Sequence, residues 1–124
     1  MFALLKKAFT PGPKKIGELE ARLTAADPSM RLRGDAEFDL YEDDSWKLEL
    51  EIDHPNNAAG ADFDVRFDGV SVAMITANRG RETEVNLSSR RGDDLAKYPQ
   101  PGTMVEVYNA GTLVLSGQFV EEFD

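Results

Sequence analysis

The chain has 124 residues, 41% of them hydrophobic, and its 14 basic and 23 acidic side chains give a net charge of −9. That length fits one domain able to bury about two-thirds of its unfolded surface, and the acidity repels phosphate backbones and anionic lipid headgroups within a Debye length of ~8 Å. With no cysteine, a disulfide framework, a thiolate metal site and a cysteine nucleophile are excluded, and no run approaches the ~20 apolar residues of a membrane-spanning helix.

In chain order, Phe2, Leu5 and Phe9 lie at helical spacing beside Lys6 and Lys7, and Pro11 and Pro13 end that run. Its apolar stretch is short and precedes the lysines, so it does not read as a secretory signal, which leaves the cytoplasm as the default compartment. A second helical run is expected over residues 17–26, where Ile16, Leu19 and Leu23 make one stripe before Asp27-Pro28. Lys6, Lys7, Lys14 and Lys15 are the only charged side chains among the first fifteen residues. The opposite sign sets the start of the chain apart from the acidic remainder. Residues 1–29 are therefore expected as a helical or partly ordered segment, and residues 30–124 as an antiparallel β domain.

From Ala36 onward the grammar changes to period two. Phe38 and Leu40 share one face of a first strand. In Trp46–Asp53, Trp46, Leu48, Leu50 and Ile52 alternate with Lys47, Glu49, Glu51 and Asp53, the mark of a strand with one buried and one solvated face. His54-Pro55-Asn56-Asn57-Ala58-Ala59-Gly60 reads as a loop. Phe63, Val65 and Phe67 then point inward before Asp68-Gly69, a pair suited to a two-residue hairpin loop because both residues tolerate positive φ. Val70–Thr76 is apolar or small on both sides and is expected to be an interior strand, or one covered on its second face. Residues 82–87 make another strand, a long loop runs from Ser88 to Thr103, and Met104–Tyr108 pairs with Thr112–Phe119 around Asn109-Ala110-Gly111. Seven or eight such strands fit an antiparallel β-sandwich of immunoglobulin-like dimensions, with a small antiparallel β-barrel as the alternative.

Chemistry is sparse. His54, the only histidine, follows Asp53 on a loop where a general base could sit, but no nucleophile elbow or other partner accompanies it. Asp53, Asn56, Asn57 and Asp62 form an oxygen-rich set around the same loop, suited to Ca²⁺ or a carbohydrate. The order of a calcium-binding loop is absent, so solvated turn acids are the favoured reading there and at Glu42-Asp43-Asp44 and Asp93-Asp94. Arg79, Arg81, Arg90 and Arg91 flank two loops that could share one end of the domain as an anion-binding patch. No phosphate loop, zinc spacing or aromatic nucleic-acid motif occurs.

These features favour a non-enzymatic interaction or structural module, with another protein or a second copy of the chain as partner and no cofactor. The alternative is loop-end ligand binding through Asp53, His54, Asn56, Asn57 and Asp62, with Ca²⁺ possible but not favoured. A hydrolase-like enzyme using His54 is third. Nucleic acid is not expected as a partner.

Overall fold

The computed structural model describes residues 12–122. Nine strands occur among them: β1 (Lys15–Ala25), β2 (Arg33–Tyr41), β3 (Trp46–Asp53), β4 (Asp62–Phe67), β5 (Val70–Thr76), β6 (Glu82–Ser88), β7 (Met104–Asn109), β8 (Thr112–Gln118) and β9 (Val120–Glu121). Two short 3-10 turns, Asn56–Ala58 and Ser89–Arg91, are the helical elements of the described residues. None of their helices is long and apolar enough to cross a membrane.

All nine strands belong to one antiparallel sheet, in the order β5-β4-β7-β8-β1-β2-β3-β6, with β9 also paired to β1. A sandwich would divide them between two sheets. Here the single sheet curls until its end strands β5 and β6 come alongside each other, giving a nearly closed barrel, so the sandwich expectation gives way to the barrel alternative. Strand alternation cannot separate the two, because each buries one face of every strand. Curvature decides it, and the extra residues Val72 in β5, opposite Val65/Arg66, and Val114 in β8, opposite Val107/Tyr108, are bulges of the kind that bend and twist a sheet towards closure.

The helix expected over residues 17–26 is corrected by β1. Leu19, Ala21 and Leu23 are buried while Arg22 and Thr24 are exposed, and Ile16, which completed the helical stripe, is 60% exposed. Period two from Glu18 to Thr24 competes with that stripe and wins for a physical reason. A ten-residue helix is marginal alone, whereas β1 satisfies its backbone against β2 on one side and against β8 and β9 on the other. The expected helix around Phe2, Leu5 and Phe9 lies outside the described residues.

Where β1 changes partner from β8 to β9, the backbones approach closely at Gly117. A Cβ there would stand 2.2 Å from the Arg22 carbonyl oxygen, so only glycine fits. Strand β3 has the expected bounds and faces, with Trp46, Leu48, Leu50 and Ile52 buried and Lys47 and Glu49 exposed. Strand β5 is not interior. It ends the sheet, with Val70 and Met74 38% and 61% exposed.

The barrel is filled by Leu48, Leu50 and Ile52 of β3, Val65 and Phe67 of β4, Val105 and Val107 of β7, and Leu115 of β8. Phe119 meets Phe67 edge-to-face at 5.2 Å. Both expected hairpins turn on two residues at positive φ, Asp68-Gly69 at 48° and 85° and Ala110-Gly111 at 49° and 81°.

Candidate functional site

Strand β3 ends where Pro55 removes a ladder donor, and the chain leaves through the 3-10 turn Asn56–Ala58. The His54 N–H donates to Arg81 O at 2.8 Å, tying this loop to the segment between β5 and β6. On the other side the β1–β2 turn contributes Met30, Arg31, Leu32 and Arg33. Between them lies an open groove of ≈ 800 Å³, lined also by Asp53, His54, Pro55, Asn56, Asn57, Arg81 and Glu82.

Four of the five residues singled out in sequence thus share one concavity: Asp53, His54, Asn56 and Asn57. Asp62 is not part of it. On β4, its carboxylate accepts from Thr76 Oγ1 at 2.7 Å and its carbonyl from Asn109 Nδ2 at 2.9 Å.

His54 is not an exposed loop side chain. It is 3% exposed and stacks on Phe63 with ring centroids 6.5 Å apart. Its Nδ1 is 3.0 Å from Pro55 O and its Nε2 is 2.8 Å from Thr83 Oγ1. A carbonyl only accepts, so Nδ1 carries the proton and Nε2 accepts from the Thr83 hydroxyl. That assignment leaves Thr83 Oγ1 free to accept the Asn78 N–H at 2.9 Å. With that tautomer each donor and acceptor of this hydrogen-bonded relay is matched. Both ring nitrogens are committed internally, and the ring acts as a wall tying the β3–β4 loop to strand β6.

Charge in the groove is mixed. The Arg33 guanidinium lies 3.8 Å from the Asp53 carboxylate, and carboxylate oxygens of Glu51, Asp53 and Glu82 lie within 4.8 Å of one another. Arg31 and Arg81 are exposed and have no ion-pair partner among the described residues. Arg22 and Arg79 likewise have none among them, whereas Arg66 pairs with Asp64, Arg90 with Asp43 and Arg91 with Asp93. The four arginines expected to share one end are therefore split, because Arg79 and Arg81 precede β6 while Arg90 and Arg91 follow it. The partners of Arg81 at its end are Arg31 and Arg33, brought there by the β1–β2 turn.

The acidic turns behave as turn chemistry. The Asp43 carboxylate accepts from the Ser45 N–H at 3.0 Å, the Asp93 carboxylate from the Ser88 N–H at 2.9 Å, and the Asp94 carboxylate from the Leu95 N–H at 2.9 Å and from the Tyr98 hydroxyl. These bonds hold Asp43 and Asp94 below the usual carboxylate range.

A second constellation sits on the outer face, towards the opposite end of β2. Register places Glu18 of β1 beside Asp39 of β2, and aligns Glu20, Glu37 and Glu49 across β1, β2 and β3. Like charges directly opposite one another destabilise a sheet. Burial first, then the neighbouring Asp39, Glu18 and Glu49, push the Glu37 carboxyl up to about 7. Burial raises Asp39 as well, against the pull of Lys15. The ammonium of Lys15 lies 2.7 Å from Glu18 Oε1 and 3.5 Å from Asp39 Oδ1, and its hydrogen bond to Glu18 raises its own pKa. Assigning β1 as a helix hid this cluster, although the alternation that faces Phe38 inward already turns Glu37 and Asp39 outward together.

Compared with known proteins, the chain matches no protein-family model and no curated protein.

Proposed function

We propose that the chain is a non-enzymatic interaction module that holds a carboxylate-bearing segment of a partner protein in the groove beside His54. The observation that carries this reading is that Arg31 and Arg81, without an ion-pair partner among the described residues, line one open concavity on an otherwise acidic chain. A guanidinium matches a carboxylate with two parallel hydrogen bonds. At physiological salt the distant acids are screened over ~8 Å, so the groove's own charges, Arg31, Arg33 and Arg81 against Asp53 and Glu82, set the local potential.

Each groove residue then has a part. Arg31 and Arg81 take the partner's carboxylates. Asn56 and Asn57 offer amide donors and acceptors to its backbone, and Met30, 41% exposed, offers an apolar contact. Asp53 orients Arg33, and buried His54 keeps the loop in place. A wide, exposed groove suits an extended segment better than a small enclosed molecule.

Calorimetry with a capped peptide of alternating Glu and Ser tests the reading. A saturable heat that weakens with salt and disappears when Arg31→Ala and Arg81→Ala are combined is the expected result. The same heat in the double variant would reject it.

A further inference from the structure

We propose that the chain before Gly12 folds back onto its own barrel and seats Leu5 and Phe9 in an apolar hollow at the end opposite the groove. The hollow, of ≈ 240 Å³, lies between the start of β1 and the 99–101 segment, and Ile16, Leu19, Phe38, Leu40, Pro99 and Pro101 line it. Arg33, at the start of β2, lines the groove, whereas Leu40, near the end of the same strand, lines the hollow. The length of one strand separates the two sites.

Connectivity gives the first support. The Lys14 N–H donates to the Glu42 carboxylate at 3.1 Å, and the Lys14 carbonyl accepts the Glu42 N–H at 2.8 Å, so the start of the described chain is fixed beside the hollow. Lys15 then faces Tyr41 and Gly17 faces Leu40, which makes Ile16 an extra residue of β1. Ile16 is pushed onto the rim of the hollow, 60% exposed. A chain spans at most ~3.6 Å per residue, so Gly12 is within about 14 Å of Ile16 and Phe9 within about 11 Å of Gly12. Pro11-Gly12-Pro13 supplies the residue types that reverse a chain. A reversal there brings Phe9 to the rim, with Leu5 able to follow.

Size and charge select this occupant. The volume is below the ~300–1,000 Å³ of most small-molecule pockets and suits one or two large apolar side chains. Glu18 and Glu121 also line the hollow. Lys15 holds Glu18, but Glu121 has no ion-pair partner among the described residues. Lys6 and Lys7, between Leu5 and Phe9 in sequence, would carry cations to that acidic rim while the apolar side chains enter. A second copy would approach with its own net charge of −9. It would also lose translational and rotational freedom that a tethered segment has already given up.

Amide shifts of the ¹⁵N-labelled full chain, compared between the wild type and a chain combining Leu5→Ser with Phe9→Ser, test the proposal. Differences beyond residue 12 should centre on residues 17, 19, 38, 40 and 100 and stay the same on dilution. In the wild type, the Phe9 ring should give nuclear Overhauser contacts to the Leu40 methyl groups, a readout that needs no variant. Differences confined to residues 1–12, without those contacts, overturn the proposal. So do contacts that fade on dilution while sedimentation shows a dimer dissociating, which would make a second copy the occupant. Vesicles of phosphatidylserine and phosphatidylcholine supply the last arm. Co-sedimentation of the wild type that is lost when Lys6→Glu and Lys7→Glu are combined, with no Phe9–Leu40 contact in the free chain, would assign the segment to a membrane surface instead.

Discussion

His54 Nε2 accepts the hydroxyl proton of Thr83 at 2.8 Å, and the same Thr83 oxygen accepts the N–H of Asn78. The β3–β4 loop and the β5–β6 loop are joined through one buried threonine of β6, which is 7% exposed. The groove keeps its shape because this chain of donors and acceptors closes without a remainder.

Thr83→Val should therefore cost about 1–3 kcal/mol, since an isosteric methyl leaves both His54 Nε2 and the Asn78 N–H unsatisfied inside the protein. Thr83→Ser should keep most of the stability. Urea denaturation of the three chains checks this, and a valine variant as stable as the wild type would remove the network from the account.

Strand β3 offers a contrast between adjacent residues. Leu50 is 2% exposed in the barrel interior, so Leu50→Ala should lose about 2–5 kcal/mol. Glu49 faces water beside Glu37, and Glu49→Ala should change stability by at most about 0.5 kcal/mol. Denaturant midpoints would contradict the assigned faces if the order of the two effects were reversed.

The acidic outer face should leave a signature in pH dependence. Glu37 has a folded-state pKa raised from 4.5 to about 7, so between those values the folded chain binds more protons than the unfolded one. Its contribution is fully present below pH 4.5 and is lost as pH rises through about 7. Glu20, Asp39 and Glu51 are shifted in the same direction, first by burial. Asp27 and Asp64, lowered by hydrogen bonds, act oppositely and lose their contribution only on acidification. Urea midpoints should fall between about pH 5 and pH 7.5, and Glu37→Gln should flatten that fall. A wild-type midpoint that rises over this interval would speak against the protonated cluster.

The hairpin after β7 holds a non-glycine residue at positive φ, Ala110 at 49°. The left-handed region costs an L-alanine about 1 kcal/mol or more, and asparagine tolerates it better. Ala110→Asn, at an exposed position, should raise stability by about 0.5–1 kcal/mol in thermal or denaturant unfolding. Loss of stability would mean that the side chain there has a role the turn geometry does not reveal.

Legibility in the sequence followed the range of the interactions. Strand β3 was readable because eight residues alternate without exception and no other period competes. The Asp68-Gly69 hairpin was readable because its backbone requirement is local. Strand β1 was not, because Ile16, Leu19 and Leu23 satisfy a helical stripe and the hydrogen bonds on its second side come from β8 and β9, about 90 to 100 residues away in the chain. Barrel closure was hidden for a related reason, since single-residue bulges in β5 and β8 leave no compositional mark. The His54 loop gave half of the groove. The other half, Arg31, Arg33 and Arg81, depends on which turns the barrel brings to the same end, and Glu18 could join Glu37 and Asp39 only once β1 was a strand.

The most direct measurement of the groove's role is amide chemical-shift mapping of the ¹⁵N-labelled full chain as the capped Glu–Ser peptide is added. The largest shifts should centre on residues 31, 33, 56, 57 and 81, leave the β1–β2 outer face unmoved, and vanish when Arg31→Glu and Arg81→Glu are combined. Shifts that centre elsewhere, or that persist unchanged in the charge-reversed chain, would contradict binding at the groove.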